Sequence, residues 1–206
     1  MGHEGEQAAT ETPLLHQAAT RIERERLATL IRTPGDRAFM LGSHLRGETV
    51  ASTPVLTLGP EDGECIWFFG ILTTFRVSAD HSASGMCVAH QVIPAGFATP
   101  LHVQPDDEET FHILEGRFTF WADGEAYSAE AGATVHLPAG TPHAYRVDSD
   151  GGQLLDITTG QHEAFFRACG DPALRRELPP PAEPDLGRVV AAGAKYGVDI
   201  LGPPPG

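Results

Sequence analysis

Apolar and polar positions along the chain follow three successive regimes. In residues 14–32, Leu14, Leu15, Ala18, Ile22, Leu27, Leu30 and Ile31 recur at helical spacing, and Thr33-Pro34-Gly35-Asp36 ends the run. Residues 35–63 are irregular, with short apolar patches at Phe39–Leu41 and Val55–Leu58. From about residue 64 the period shortens. Strand-like runs are predicted at 64–77, 86–94, 99–104, 108–114, 117–121, 126–129, 133–137, 143–148 and 153–159. Asp123-Gly124 between two alternating runs is a two-residue hairpin signal, and Asp150-Gly151-Gly152 marks another turn. Many short strands at regular spacing predict an all-β sandwich or barrel. After residue 160 helical spacing returns, at 161–168 and 186–196, with a proline-rich spacer from Pro179 to Pro184 between them. The organisation expected is a 1–60 extension bearing a helix, a barrel at 61–160 and a helical extension at 161–206.

Composition narrows the function classes. A formal charge of −14 over 206 residues repels phosphate backbones and anionic membranes, so neither nucleic acid nor a membrane surface is expected as a partner. No apolar run approaches the roughly 20 residues needed to cross a bilayer. The first residues, Met1-Gly2-His3-Glu4, lack the basic and apolar regions of a secretory signal. Three scattered cysteines, Cys65, Cys87 and Cys169, form no C-x-x-C pair. Cys65 and Cys87 sit in apolar runs and read as small buried hydrophobes. Together these features fit a reducing cytoplasm.

Two stretches carry the chemistry: GFATPLHVQPDDEETFHILEG from Gly96 to Gly116, and GATVHLPAGTPHAYRV from Gly132 to Val147. His102 and Gln104 are two apart, so on a strand they share a face. Pro105-Asp106-Asp107 turns the chain and returns Glu109 alongside. Pro138-Ala139-Gly140 is a tight turn just ahead of His143. A barrel closing these strands side by side points His102, Gln104, Glu109 and His143 at one interior spot. Phe111, two after Glu109, and Tyr145, two after His143, share that face, as core or as pocket lining. His112, three after Glu109, faces the other way. His90 and His136 read as structural or outward-facing. His3, His16, His44, His81 and His162 carry no pattern.

In spacing and order these stretches resemble the two motifs of the cupin superfamily. Gly96, His102, Glu109 and Gly116 fall on the first; Gly132, Pro138, Gly140 and His143 fall on the second. The aromatic strand at 66–70 and the segment from Lys195 to Pro203 look like single-domain bacterial cupins similar to quercetin 2,3-dioxygenases. The resemblance runs from about residue 60 to the end. It implies a jelly-roll barrel (double-stranded β-helix), a homodimer and one divalent metal ion, whether Fe, Ni, Mn, Co, Cu or Zn. Two positions depart from the pattern. Gln104 stands where the family has its second histidine, and Val147 where asparagine is frequent. A neutral amide is a weaker donor than imidazole, so Gln104 is either a labile oxygen ligand or a hydrogen-bonding neighbour of the site.

His102, Glu109 and His143 still make a two-histidine, one-carboxylate set, the arrangement of non-haem iron oxygenases. The expected function is a metal-dependent enzyme on a small phenolic or enolic substrate, of dioxygenase type; the resemblance implies that Glu109, if it detaches from the metal, also handles the substrate proton. Two alternatives stand beside it. One is Lewis-acid chemistry without redox change: isomerisation, cyclisation, decarboxylation or a lyase reaction. The other is a barrel that binds a small ligand without catalysis.

Overall fold

Alternation of large apolar and small polar side chains drives the middle of the chain into pleated strands. A computed structural model describes residues 55–205; the helix expected at 14–32 and most of the 1–60 extension lie outside them. The strands are β1 (Glu64–Phe68), β2 (Ile71–Val77), β3 (Met86–Ile93), β4 (Leu101–Val103), β5 (Glu109–Glu115) and β6 (Arg117–Ala122). They continue as β7 (Glu125–Glu130), β8 (Thr134–Leu137), β9 (His143–Val147), β10 (Gly152–Thr159), β11 (Asp171–Pro172) and β12 (Asp199–Gly202). Two helices follow the main run of strands, α1 (Gly160–Cys169) and α2 (Leu186–Tyr196). One sheet has the order β11-β1-β2-β3-β10-β5-β8, the other β12-β4-β9-β6-β7. Pairing between neighbours is antiparallel throughout. This is the all-β jelly roll expected.

Three details differ from the periodic reading. The run at 64–77 is two strands, because Phe69 (φ 53°) and Gly70 (φ 90°) turn the chain between Phe68 and Ile71. Cys65, read as buried, is only half-buried, whereas Cys87 is fully buried. The segment after 160 is not wholly helical. It also supplies β11 and β12, which extend one sheet each. β12 is too short for periodicity to register, and only pairing with β4 makes it a strand.

The inward positions of β3 share one parity: Cys87, Ala89, Gln91 and Ile93. At the Ile93 end this face meets Phe111, Ile113, Phe118, Phe120, Tyr145 and Leu154, the core between the sheets. At the Cys87 end α1 and α2 take over, packing Phe165, Phe166, Val189 and Ala192 onto Ile66, Phe75 and Ala89. The helices therefore cover one end of the barrel. Gly193 permits this, since a side chain there would collide with the Val198 carbonyl.

Glu163 fastens α1 in place. Its carboxylate accepts from Ser78 Oγ (2.8 Å) and the Ala79 N–H (2.7 Å), and pairs with Arg167 (2.8 Å). Arg167 in turn reaches Glu64 on β1 at 2.7 Å and lies over the Phe75 ring. Burial pushes the Glu163 carboxyl up, but the Ala79 N–H, Arg167 and Ser78 outweigh it and hold it below its ordinary value. A depressed folded-state pKa stabilises above the unfolded value of about 4.3 and is lost as pH falls through the folded value. Glu163→Gln is expected to cost about 2 kcal/mol at pH 7. The gap from wild type should narrow below about pH 4. Urea denaturation at pH 7 and at pH 3.5 reads both numbers; an equal gap at the two pH values would refute the assignment.

Candidate metal centre

β4, β5 and β9 meet where the two sheets come together at the covered end. His102 on β4 pairs in register with His143, the first residue of β9. Their rings are 4.2 Å apart between centroids. Glu109 opens β5 after the Pro105–Glu108 turn, and the Pro138–Gly140 turn is tied to β4 by Gly140 N–H donating to the Gln104 carbonyl at 2.8 Å. Local turn chemistry thus brings three side chains from three strands together. One donor atom from each of His102, Glu109 and His143 lies within 4.8 Å of the others.

Each imidazole is anchored from behind. His102 Nδ1 is 2.9 Å from the Pro100 carbonyl and His143 Nδ1 is 2.8 Å from the Thr141 carbonyl. A carbonyl can only accept, so Nδ1 carries a proton in both rings and Nε2 faces inward. His143 Nε2 is 2.9 Å from Glu109 Oε2. Burial, reinforced by the nearby His143, brings His102 down to about 4, so it is neutral at physiological pH. Burial alone pushes the Glu109 carboxyl up, but His162, the His143 hydrogen bond and His102 bring it below its ordinary value. Burial lowers His143, and its hydrogen bond and charge pairing with Glu109 more than reverse this. A neutral imidazole, an anionic carboxylate and a second imidazole whose proton is exchangeable are the donors a divalent ion requires, with one proton released on binding. The residues fit such an ion.

Gln104 is buried, but its amide lies on the ring of His162, within hydrogen-bonding reach of Nδ1. His162 comes from the first turn of α1, and its Nε2 is 3.1 Å from Glu109 Oε1. Burial lowers its pKa. Asp156 on β10 completes a second close group with Glu109 and His162. Its Oδ2 accepts from Gln91 at 3.3 Å, its Oδ1 has no hydrogen-bond partner, and burial followed by the Glu109 charge pushes its carboxyl well above the ordinary range. Neither residue stands out in the sequence by motif spacing. Asp156 had one available signal, its inward parity with Leu154 and Thr158 on β10. His162 had none, since only the docking of α1 brings it to Glu109.

Phe111 and Tyr145 are both buried. They line a cavity with His102, Glu109, Asp156 and His162, together with Phe97, Phe165, Phe166, Val189 and Val198. Tyr145 Oη donates to Gln91 Oε1 at 3.4 Å. His112 and His136 instead point outward, bonded to Thr134 and Thr110 respectively. Among the described residues no helix is long and apolar enough to cross a membrane.

Within this two-sheet antiparallel barrel, residues 89–157 match the family model described as Cupin domain. Over 80 residues it is 39% identical to quercetin 2,3-dioxygenase of Bacillus subtilis (strain 168), a match covering 38% of this chain and 24% of that protein. The chain thus aligns with about a quarter of that relative's length. Among solved structures, KdgF from Halomonas sp. aligns with a TM-score of 0.40 at 14% identity, over 44% of this chain and 79% of its own. A protein described as a predicted oxalate decarboxylase from Thermotoga maritima aligns with a TM-score of 0.41 at 19% identity, over 43% and 79%.

Proposed function

We propose that the protein is a metal-dependent cupin enzyme of dioxygenase type, acting on a small phenolic or enolic compound. The observation that carries this reading is the convergence of His102, Glu109 and His143, with His102 and Glu109 opening onto a cavity lined largely by aromatic and aliphatic side chains. The 39% identity to a quercetin 2,3-dioxygenase over 80 residues points the same way. A divalent ion held by this set supplies Lewis-acid activation of an enol or phenol oxygen and, when redox-active, reactivity toward dioxygen. The chain's own residues do the rest. His102 and His143, fixed through Nδ1, present Nε2 without rotamer freedom. Glu109 takes up the hydroxyl proton of the substrate at a carboxylate oxygen. Phe97, Phe111 and Tyr145 supply aromatic lining against which a planar ring can pack, and Phe165 and Phe166 keep water out.

A second reading is favoured by one residue. Gln104 replaces an imidazole, and a changed donor set suits Lewis-acid chemistry without redox change, such as isomerisation or decarboxylation. Metal content by elemental mass spectrometry, on tag-free wild type and on His143→Ala, comes first. About one equivalent of a redox-active ion, lost in the variant, with oxygen uptake on a panel of flavonols and enediols, supports the dioxygenase reading. One equivalent of zinc with no oxygen uptake moves the assignment to the second reading. No metal in the native or the reconstituted protein overturns both.

A further inference from the structure

Gln104 occupies the place of the first motif's second histidine, and the nearest imidazole to its amide belongs to His162. Both side chains are almost fully buried, at 2% and 3% exposure. The His162 ring is held edge-on against Phe166, with centroids 4.4 Å apart, and packs on Phe165, so its plane is set by the α1 packing. From there Nδ1 meets Gln104 and Nε2 meets Glu109 Oε1 at 3.1 Å, while Glu109 Oε2 meets His143. An anionic oxygen at that distance requires a proton on Nε2. A neutral ring then has a bare Nδ1, which must accept from the Gln104 N–H. The reverse tautomer sets a lone pair against a carboxylate. His162 also groups with Glu109 and Asp156, apart from the set made by His102, Glu109 and His143.

We propose that Gln104 and His162 together stand in for the missing motif histidine as a hydrogen-bond relay. Gln104 fixes the tautomer of His162, and the His162 Nε2–H occupies Glu109 Oε1, so that only Oε2 is free to ligate. His162 is a positioning residue, recruited from the helix that follows the barrel rather than from the barrel itself. The inference rests on the metal-site reading above.

The test is titration of Co²⁺ into the metal-free full-length protein, followed by isothermal calorimetry and X-ray absorption. Wild type is expected to bind one ion with two imidazoles. His162→Ala should bind one ion roughly 10- to 100-fold more weakly. His162→Gln keeps an amide N–H near the position of Nε2 and should recover most of the affinity, a rescue that simple loss of packing would not give. Circular dichroism of the metal-free variants checks their fold. The proposal is overturned if His162→Ala binds within twofold of wild type. It is equally overturned if the wild-type ion carries three imidazoles and the alanine variant two, since His162 would then be a ligand. Wild type that binds no Co²⁺ overturns the metal-site reading itself, before any variant is compared.

Discussion

Glu109→Gln should weaken divalent-ion binding by at least roughly 100-fold while leaving the metal-free fold intact, because the change deletes the single anionic donor of the set and keeps its shape. The amide still bonds to His143, so no buried group loses its partner. With the carboxylate gone His143 gives up its extra proton, so no unpaired charge is left buried and the metal-free variant should keep its fold. The contrast lies in the metal-loaded state. Wild type should gain about 2.7 kcal/mol at a metal concentration 100 times Kd, and the variant at that same concentration almost none. Thermal melts with and without Mn²⁺ or Co²⁺, paired with calorimetric titration, measure both effects. A variant that binds as tightly as wild type would remove Glu109 from the donor set.

Phe118→Ala should produce the largest loss of stability, about 3–5 kcal/mol. The Phe118 ring is fully buried between Phe120 and Tyr145, with centroids 6.2 Å and 5.9 Å away. Its tip rests on the backbone of Gly152, where a Cβ would come within 2.5 Å of Cζ. That backbone belongs to β10, paired on both sides, and it cannot collapse into the space left behind. Gly152→Ala should be destabilising alone and much less so in the Phe118→Ala background, where the methyl group enters the vacated volume. Denaturant midpoints at constant slope give the four corners of this cycle. Strict additivity would mean that the two positions do not share a contact.

Much of this was legible because the information is local. Asp123 (φ 51°) and Gly124 (φ 84°) adopt the left-handed pair that an Asp-Gly hairpin turn requires, and β6 and β7 follow in the register this sets. Gly116 sits at φ 90° with the Gly151 carbonyl where a Cβ would be, which accounts for the glycine closing the first motif. Parity alone put Phe111 and Tyr145 inside and His112 outside. What period and spacing could not convey is contact between distant segments. His162 reaches Glu109 only because α1 docks, and docking depends on Glu163 meeting Ser78 and Ala79 more than eighty residues earlier. The break at Phe69-Gly70 was missed for a related reason: an apolar run of that length reads as one strand until pairing folds it back.

The covering of one barrel end by α1, α2 and β12 builds the cavity from two differently supported parts. The donor residues lie on barrel strands whose turns and registers constrain them tightly, whereas Phe165, Phe166, Val189 and Val198 belong to a tail held by a few ion pairs and one face of packing. Swapping Val189 or Val198 reshapes the cavity without touching the donor set, whereas Phe165 and Phe166 also hold the His162 ring against Glu109. The shape of the cavity can therefore be altered from the segment after the barrel while the two motif stretches stay as they are.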